Sequence, residues 1–291
     1  MTTTDHLWGI VLAGSAEHRS GRGPHHRRPR RSRVPASARH ILFRQALDRA
    51  ARLIEPDRLY AVLARDHCGY YDTELSDLPG VRRILQPAYR GSAPELFLPV
   101  LRIFDEDPHA TVVVIPSDQL VDGEARLMAY AGRAAQAVAR RPDLVVVIGA
   151  HPLGLEVPCT WIDPGELVEG LEPLAVRAVR RFVTRPTRGE AAALYADDAL
   201  VNTHVVIAKA RALVDLGRRY LPDVLETLEP LESAFGLPEE RLLCDALYEQ
   251  MPYADIAHAL FARPQHAAVL SVSDVRISTK HSTPLVHALA S

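Results

Sequence analysis

"IVLAGSAEHR", residues Ile10 to Arg19, is the stretch on which the reading of this chain turns. An apolar run stops at Gly14, and small and polar residues follow before Arg19. A first β-strand that feeds a phosphate-cradling loop has this form, because backbone N–H groups and a nearby cation favour negative charge there. Such loops usually carry several glycines, and here one stands alone, so the same letters also fit an ordinary turn.

Further along the chain, "LWGIVLA" (Leu7–Ala13), "LYAVLA" (Leu59–Ala64), "ATVVVIP" (Ala110–Pro116) and "LVVVIGA" (Leu144–Ala150) are continuous, β-branched runs. That pattern suits strands buried on both faces of a parallel sheet. Between them, Leu42, Ala46 and Leu53 share one helical face, with Ile41, Gln45 and Arg49 on the same spacing. Leu127, Ala131, Ala134 and Val138 form a second stripe within Glu124–Arg141. The alternation predicts βαβ units and a doubly wound α/β sheet, in which ligands bind at the carboxyl ends of the strands. Beyond about residue 155, Val176–Val183 and Leu200–Ala208 read as strands and Lys209–Leu228 as a helix broken at Pro222. "TRGE" (Thr187–Glu190) fits a capping box opening the helix that follows. Ala267–Asp274 reads as the last strand of the core.

The composition is that of a globular chain with a sizeable core: 291 residues, 47% hydrophobic and 24% charged. Net charge of −2 hides an asymmetry. Of 34 basic residues, eight arginines fall between Arg19 and Arg39, where there is no acidic residue, leaving 26 basic against 36 acidic elsewhere. Such an arm can attract phosphate backbones, but it lacks interleaved aromatics for stacking on bases, so a nucleic-acid partner is disfavoured. Cys68, Cys159 and Cys244 are odd in number and widely spaced, which argues against a disulfide framework or structural zinc and suits a reducing cytoplasm. No run reaches the ~18 apolar residues of a membrane span, and the N-terminus lacks a secretory pattern.

Three further segments carry polar chemistry. "QPAYRGSAPE" (Gln86–Glu95) offers Gln86 to a base edge, while Gly91 and Ser92 let backbone approach a ribose. "VIPSDQ" (Ile115–Gln119) ends a buried strand with Asp118, a carboxylate suited to Mg²⁺ or to helix capping by Ser117 or Asp118. "RRFVTRPT" (Arg180–Thr187), "VNTHVV" (Val201–Val206) and "SVSDV" (Ser271–Val275) gain meaning only through their order.

Taken in order, "VLAGSAEHR", the basic stretch Pro29–Arg31, "QPAYRGSA", "IPSDQ", "FVTRP", "VNTHV" and "VSDV" resemble the motif series of sugar-phosphate nucleotidyltransferases of the mannose-1-phosphate guanylyltransferase type. The resemblance covers roughly residues 7 to 280. It implies a mixed, mostly parallel, Rossmann-like sheet in a single domain over residues 1–291, with a nucleotide-binding half (1–155) and a sugar-phosphate-binding half (156–291). It also implies transfer of a nucleotidyl group to a sugar 1-phosphate, with GTP and mannose 1-phosphate favoured, Mg²⁺ as cofactor, and a homodimer as one open arrangement. Carried over residue by residue, Leu12, Ala13, Gly14, Ser15, Gln86, Arg90, Gly91, Ser92 and Asp118 would bind the nucleotide. Arg19, Arg30 and Arg31 would be the catalytic cations. Arg185 and Asn202 would hold the sugar phosphate, and Asp118 with Asp274, on adjacent strands, the metal.

The chain departs from the family pattern at several of these places. Ser15 and Glu17 replace loop glycines, and Arg30 or Arg31 stands nearest the signature lysine. Arginine keeps the charge of that lysine but not its compact geometry. Thr184-Arg185 replaces a Glu-Lys pair, and Val201 replaces a tryptophan. Two readings follow: an active transferase, or a degenerate relative that binds a nucleotide or sugar nucleotide without turnover.

Overall fold

The structure, a computed structural model, describes residues 6–13, 36–155, 159–256 and 263–279. The β-branched runs form the strands expected of them: β1 (Leu7–Leu12), β2 (Leu59–Ala64), β3 (Arg82–Gln86), β4 (Thr111–Pro116) and β6 (Val145–Ala150). Every residue of β2 and β6 is buried, as strands covered on both faces require. β5 (Gln119–Asp122), β7 (Thr160–Leu167), β8 (Val176–Thr184), β9 (Leu200–Lys209), β10 (Ala267–Val272) and β11 (Arg276–Thr279) complete the strands. β5 and β11 pair as a separate ribbon, and the other nine form one sheet in the order β3-β2-β1-β4-β9-β6-β10-β8-β7.

Helices cover both faces. On one side, α1 (Ala36–Ala50) and α4 (Glu124–Arg140) bury Ala46, Leu47, Leu127, Ala131, Ala134 and Val138 against the strands. On the other lie α3 (Ser92–Glu106), α6 (Ala210–Tyr220), α7 (Pro222–Leu228) and α8 (Glu240–Gln250), around Phe97, Leu101, Leu213 and Tyr248. α6 ends at Tyr220 and is capped at Leu221, just before the break that Pro222 predicts. A short helix, α2 (Asp72–Ser76), completes the first half. Helix α5 (Arg188–Ala196) opens with the capping box read from "TRGE". Thr187 Oγ1 accepts the Glu190 N–H, and the Glu190 carboxylate accepts the Thr187 N–H.

The α/β class holds, but the mostly parallel sheet does not describe the second half. β1, β2, β3 and β4 pair in parallel, as do β6 and β10, whereas β9 is antiparallel to both β4 and β6. β8 is antiparallel to β10 and β7 antiparallel to β8. β7 then returns to pair with β9 through Trp161↔Val201 and Ile162↔Leu200, so that β9, β6, β10, β8 and β7 close into a ring. Closure removes the exposed strand edge that β7 would otherwise present. Trp161 is fully buried there beneath α5, against Ala191, Leu194 and Ala199.

The candidate active site

The carboxyl edge of the sheet gathers the ends of β1, β3, β4, β6 and β10 with the start of the antiparallel β9. Ala13 leaves β1 with its N–H donated to the Val62 carbonyl at 2.9 Å, while the Leu12 carbonyl accepts the Ser117 N–H at 3.1 Å. The first strand and the Ser117–Asp118 turn are therefore locked together. Gly14, Ser15, Arg19, Arg30 and Arg31 lie outside the described residues. Neither Ser117 nor Asp118 caps α4, because β5 intervenes and Gly123 occupies the cap position.

Arg49 lies beneath this turn. Its side chain is buried, with Nη2 donating to the Pro116 carbonyl at 3.5 Å and Nη1 3.6 Å from the Glu124 carboxylate. Burial lowers its pKa, and the Glu124 charge opposes that. Its place on an otherwise apolar helical face was the sequence signal for its burial.

Asn202 and Gln119 bring buried polar atoms beside this turn. Between Val147↔Val206 and Gly149↔Asn202 the pairing of β6 with β9 slips, and β9 accommodates the extra residues through His204 at φ +59°. The Asn202 side-chain oxygen accepts the His204 N–H at 2.8 Å. Thr203 Oγ1 donates to the Ile148 carbonyl at 2.8 Å, and Gln119 Nε2 donates to the Thr203 carbonyl at 2.7 Å. This leaves Asn202 Nδ2 and Gln119 Oε1 buried without a hydrogen-bond partner among the described residues, as are Arg49 Nε and Nη1. Leaving such groups unpaired costs about 1–3 kcal/mol each.

Arg185 is carried to the same neighbourhood by the ring closure. Its N–H donates to the Cys159 carbonyl at 3.1 Å, and Trp161, two residues on, pairs with Val201 beside Asn202. Arg185 is exposed and sits at φ +52°.

The loop expected to read base and ribose is instead held by the chain itself. Gln86 is buried, and its Nε2 donates to the Tyr248 hydroxyl at 2.9 Å. Arg90 Nε donates to the Tyr248 carbonyl at 3.2 Å. The Ser92 N–H and hydroxyl both donate to Asp255 Oδ1, at 3.2 and 3.1 Å, and Ser92 Oγ accepts the Ile256 N–H. Gly91 meets no open space: a Cβ there would lie 2.1 Å from the Ala254 carbonyl oxygen. The polar groups of "QPAYRGSA", expected to address a nucleoside, thus also fasten the segment Tyr248–Ile256. Burial pushes the Tyr248 hydroxyl pKa upward, with Gln86 opposing, so this tyrosine is a neutral partner at physiological pH. Tyr248 and Asp255 were missed in the sequence because they act on residues more than 150 positions away.

The metal assignment is corrected in part. β4 and β10 are not adjacent, since β9 and β6 lie between them. Asp274 is exposed, and its carbonyl accepts from Arg126 Nη1 at 3.4 Å and abuts Gly123, at the end of β5 away from Asp118. Among the described residues no three His, Cys, Asp or Glu side chains converge as a metal site. Asp118, half-buried where β4 gives way to β5, suits Mg²⁺ held by one carboxylate with phosphate oxygens and water. No helix among the described residues is long and apolar enough to cross a membrane.

No family model matches the chain. Alginate biosynthesis protein AlgA of Pseudomonas fluorescens is 24% identical over 243 residues, which is 80% of this chain and 48% of that protein. The chain therefore spans about half the length of the curated relative it matches. Among solved structures, mannose-1-phosphate geranyltransferase from Thermus thermophilus superposes with a TM-score of 0.75 at 23% identity, covering 98% of this chain and 79% of that one. Mannose-6-phosphate isomerase from Helicobacter pylori superposes with a TM-score of 0.69 at 16% identity, covering 94% and 99%. The two structures share the fold of this chain. The chain is thus similar in sequence to the alginate protein and in fold to these two structures.

Proposed function

We propose that the protein joins a sugar 1-phosphate to a nucleoside triphosphate, giving an NDP-sugar and pyrophosphate, with mannose 1-phosphate and GTP as the favoured pair. The observation that carries this reading is the buried, unpaired donor and acceptor of Asn202 and Gln119 at the carboxyl edge, suited to a sugar hydroxyl. Arg185 would hold the sugar's phosphate and orient one of its oxygens toward the α-phosphorus. That oxygen forms the new P–O bond as the bond from the α-phosphorus to the β-phosphate bridge breaks, and pyrophosphate leaves with the electron pair. The catalysis asked of the protein is positioning and charge stabilisation. The amides after Ala13 and the cations Arg19, Arg30 and Arg31 would neutralise the triphosphate. Mg²⁺, when bound by Asp118, would supply further neutralisation of phosphate charge.

A second reading has its own observation. Gln86, Arg90, Gly91 and Ser92 are committed to Tyr248–Ile256, which favours a relative that binds a nucleotide or sugar nucleotide without turnover. One experiment separates the two. Each NTP is incubated with mannose 1-phosphate or glucose 1-phosphate and Mg²⁺, pyrophosphate is measured, and binding is followed by calorimetry. Pyrophosphate release that Asn202→Ala and Asp118→Ala abolish is the expected result. Saturable binding with no pyrophosphate in any combination would decide for the second reading, and neither binding nor release would sink both.

A further inference from the structure

The opposite, amino-terminal edge of the sheet carries a cavity of about 460 Å³ that the proposed reaction does not use. Pro108 and His109 reach it from the turn before β4, Pro142 and Asp143 from the turn before β6, and His266 from the turn before β10. Lys209, at the end of β9, and Arg211, Ala212, Asp215, Leu216 and Arg219, along α6, form the other wall. The carboxyl edge is a strand length away, about 20 Å for six residues.

The charges around this cavity do not balance. The Asp143 carboxylate is bound by Arg141 through both oxygens, at 3.0 and 2.9 Å, and Asp215 lies 3.9 Å from Arg211. Both carboxylates on the wall are thus already paired. Lys209 Nζ donates to the His109 carbonyl at 2.9 Å, and the Arg219 guanidinium lies 5.3 Å from the Tyr220 ring. Neither cation has a carboxylate in ion-pair contact among the described residues. Burial lowers the Lys209 pKa, with Asp107 opposing, so its ammonium is already partly stripped of water. His266 Nε2 lies 3.1 Å from the Tyr220 hydroxyl, fixing the ring that faces the cavity. Pro108, Pro142, Ala212 and Leu216 add apolar wall beside these two cations. The volume is that of a small-molecule site, in which a few polar groups orient a ligand against apolar surface.

We propose that this cavity is a second ligand site that takes a phosphomonoester, its dianion drawn into the field of Lys209 and Arg219, at opposite ends of α6, and its carbon body against Leu216 and the two prolines. Phenyl phosphate is the probe, titrated into ¹⁵N-labelled protein, with inorganic phosphate as the comparison. Saturable shifts are expected at the amides of His109, Asp143, His266 and residues 211–220. Phenyl phosphate should bind at least about tenfold more tightly than inorganic phosphate, through the apolar wall. Lys209→Ala with Arg219→Ala should weaken binding at least about tenfold, and Arg185→Ala should leave it unchanged. Asp215→Asn, which removes a carboxylate from the wall, should tighten it, and this variant decides should the double variant fail to fold. The proposal is overturned by the absence of saturable shifts, or by shifts confined to Ala13 and Asn202 at the carboxyl edge. Undiminished affinity in the double variant, looser or unchanged binding in Asp215→Asn, or equal affinity for the two probes would overturn it as well.

Discussion

Replacing Gly91 by alanine should detach the segment Tyr248–Ile256 from the loop that follows β3. Gly91 sits at φ +93° and ψ 174°, a region open to glycine and strained by about 1–3 kcal/mol for a residue with a Cβ. The new methyl would also lie 2.1 Å from the Ala254 carbonyl oxygen and 2.8 Å from its carbon, both backbone atoms that no rotamer change can move. The segment must retreat by more than an ångström. Its retreat breaks the bonds from the Ala93 N–H to the Ala254 carbonyl and from the Ala254 N–H to the Arg90 carbonyl, both 3.0 Å. Two such bonds contribute about 2 kcal/mol net, so the combined loss is about 3–5 kcal/mol, a large share of the roughly 5–15 kcal/mol that holds a domain folded. Urea unfolding followed by Trp8 and Trp161 fluorescence reads a global loss, and hydrogen exchange at Ala93, Ala254 and Ile256 reads a local one. Gly189→Ala is the control: nothing lies within 4 Å of its Cβ, so it should be neutral or slightly stabilising. If Gly91→Ala keeps parental stability within about 1 kcal/mol and parental protection at Ala93, the clasp does not exist as described.

Other perturbations follow from the same contacts. Tyr248→Phe leaves the buried Gln86 amide without its partner and should cost about 1–3 kcal/mol, whereas Tyr248→Phe with Gln86→Leu should recover much of that loss in denaturant titrations. Thr187→Ala removes the acceptor at the start of α5 and should cost about 1 kcal/mol, seen first as faster exchange of the Glu190 and Ala191 amides. Asp107 ties His6 and Trp8, at the start of β1, to the turn before β4. Burial raises its pKa, but hydrogen bonds from Trp8, His6 and the His109 N–H together hold it below the ordinary 3.8. A depressed folded value means stability present above about pH 4 and lost as pH falls through the folded pKa. Asp107→Asn should therefore flatten the acid limb of the stability curve, and an unchanged limb would refute the assignment.

The strands were legible because Leu59–Ala64 and Leu144–Ala150 are apolar at every position, a pattern that only burial on both faces explains. The capping box was legible because its two partners are three residues apart. β7 was not read, because "TWIDPGEL" contains a proline and a glycine and its pairing shifts at Pro164. Its place is set by long-range contact with Val201 and Leu200, which no local pattern encodes. Asp118 and Asp274 could be picked out as strand-end carboxylates, but the order of strands across the sheet could not be read from them. The insertion of β9 and β6 between their strands is a property of topology alone.

The same distinction separates the two sides of the candidate site. On the side of β3, the residues that match the family motif make their hydrogen bonds within the chain: Gln86 to Tyr248, Arg90 to the Tyr248 carbonyl, and Ser92 to Asp255. A base or ribose arriving there would have to displace bonds already formed, and the gain would be only the difference between two similar sets. On the side of β9, Asn202 Nδ2 and Gln119 Oε1 are buried and unpaired, so a ligand hydroxyl meets groups already stripped of water and gains their full pairing energy. The unpaired polar groups are those proposed to meet a sugar, and those proposed to read a base are bonded within the chain. Selectivity for the sugar phosphate should accordingly reside in side chains of β9 and β5. In the proposed reaction, recognition of the nucleotide would fall to backbone amides after Ala13, to Asp118 and to Arg19, Arg30 and Arg31, groups that address phosphate rather than base.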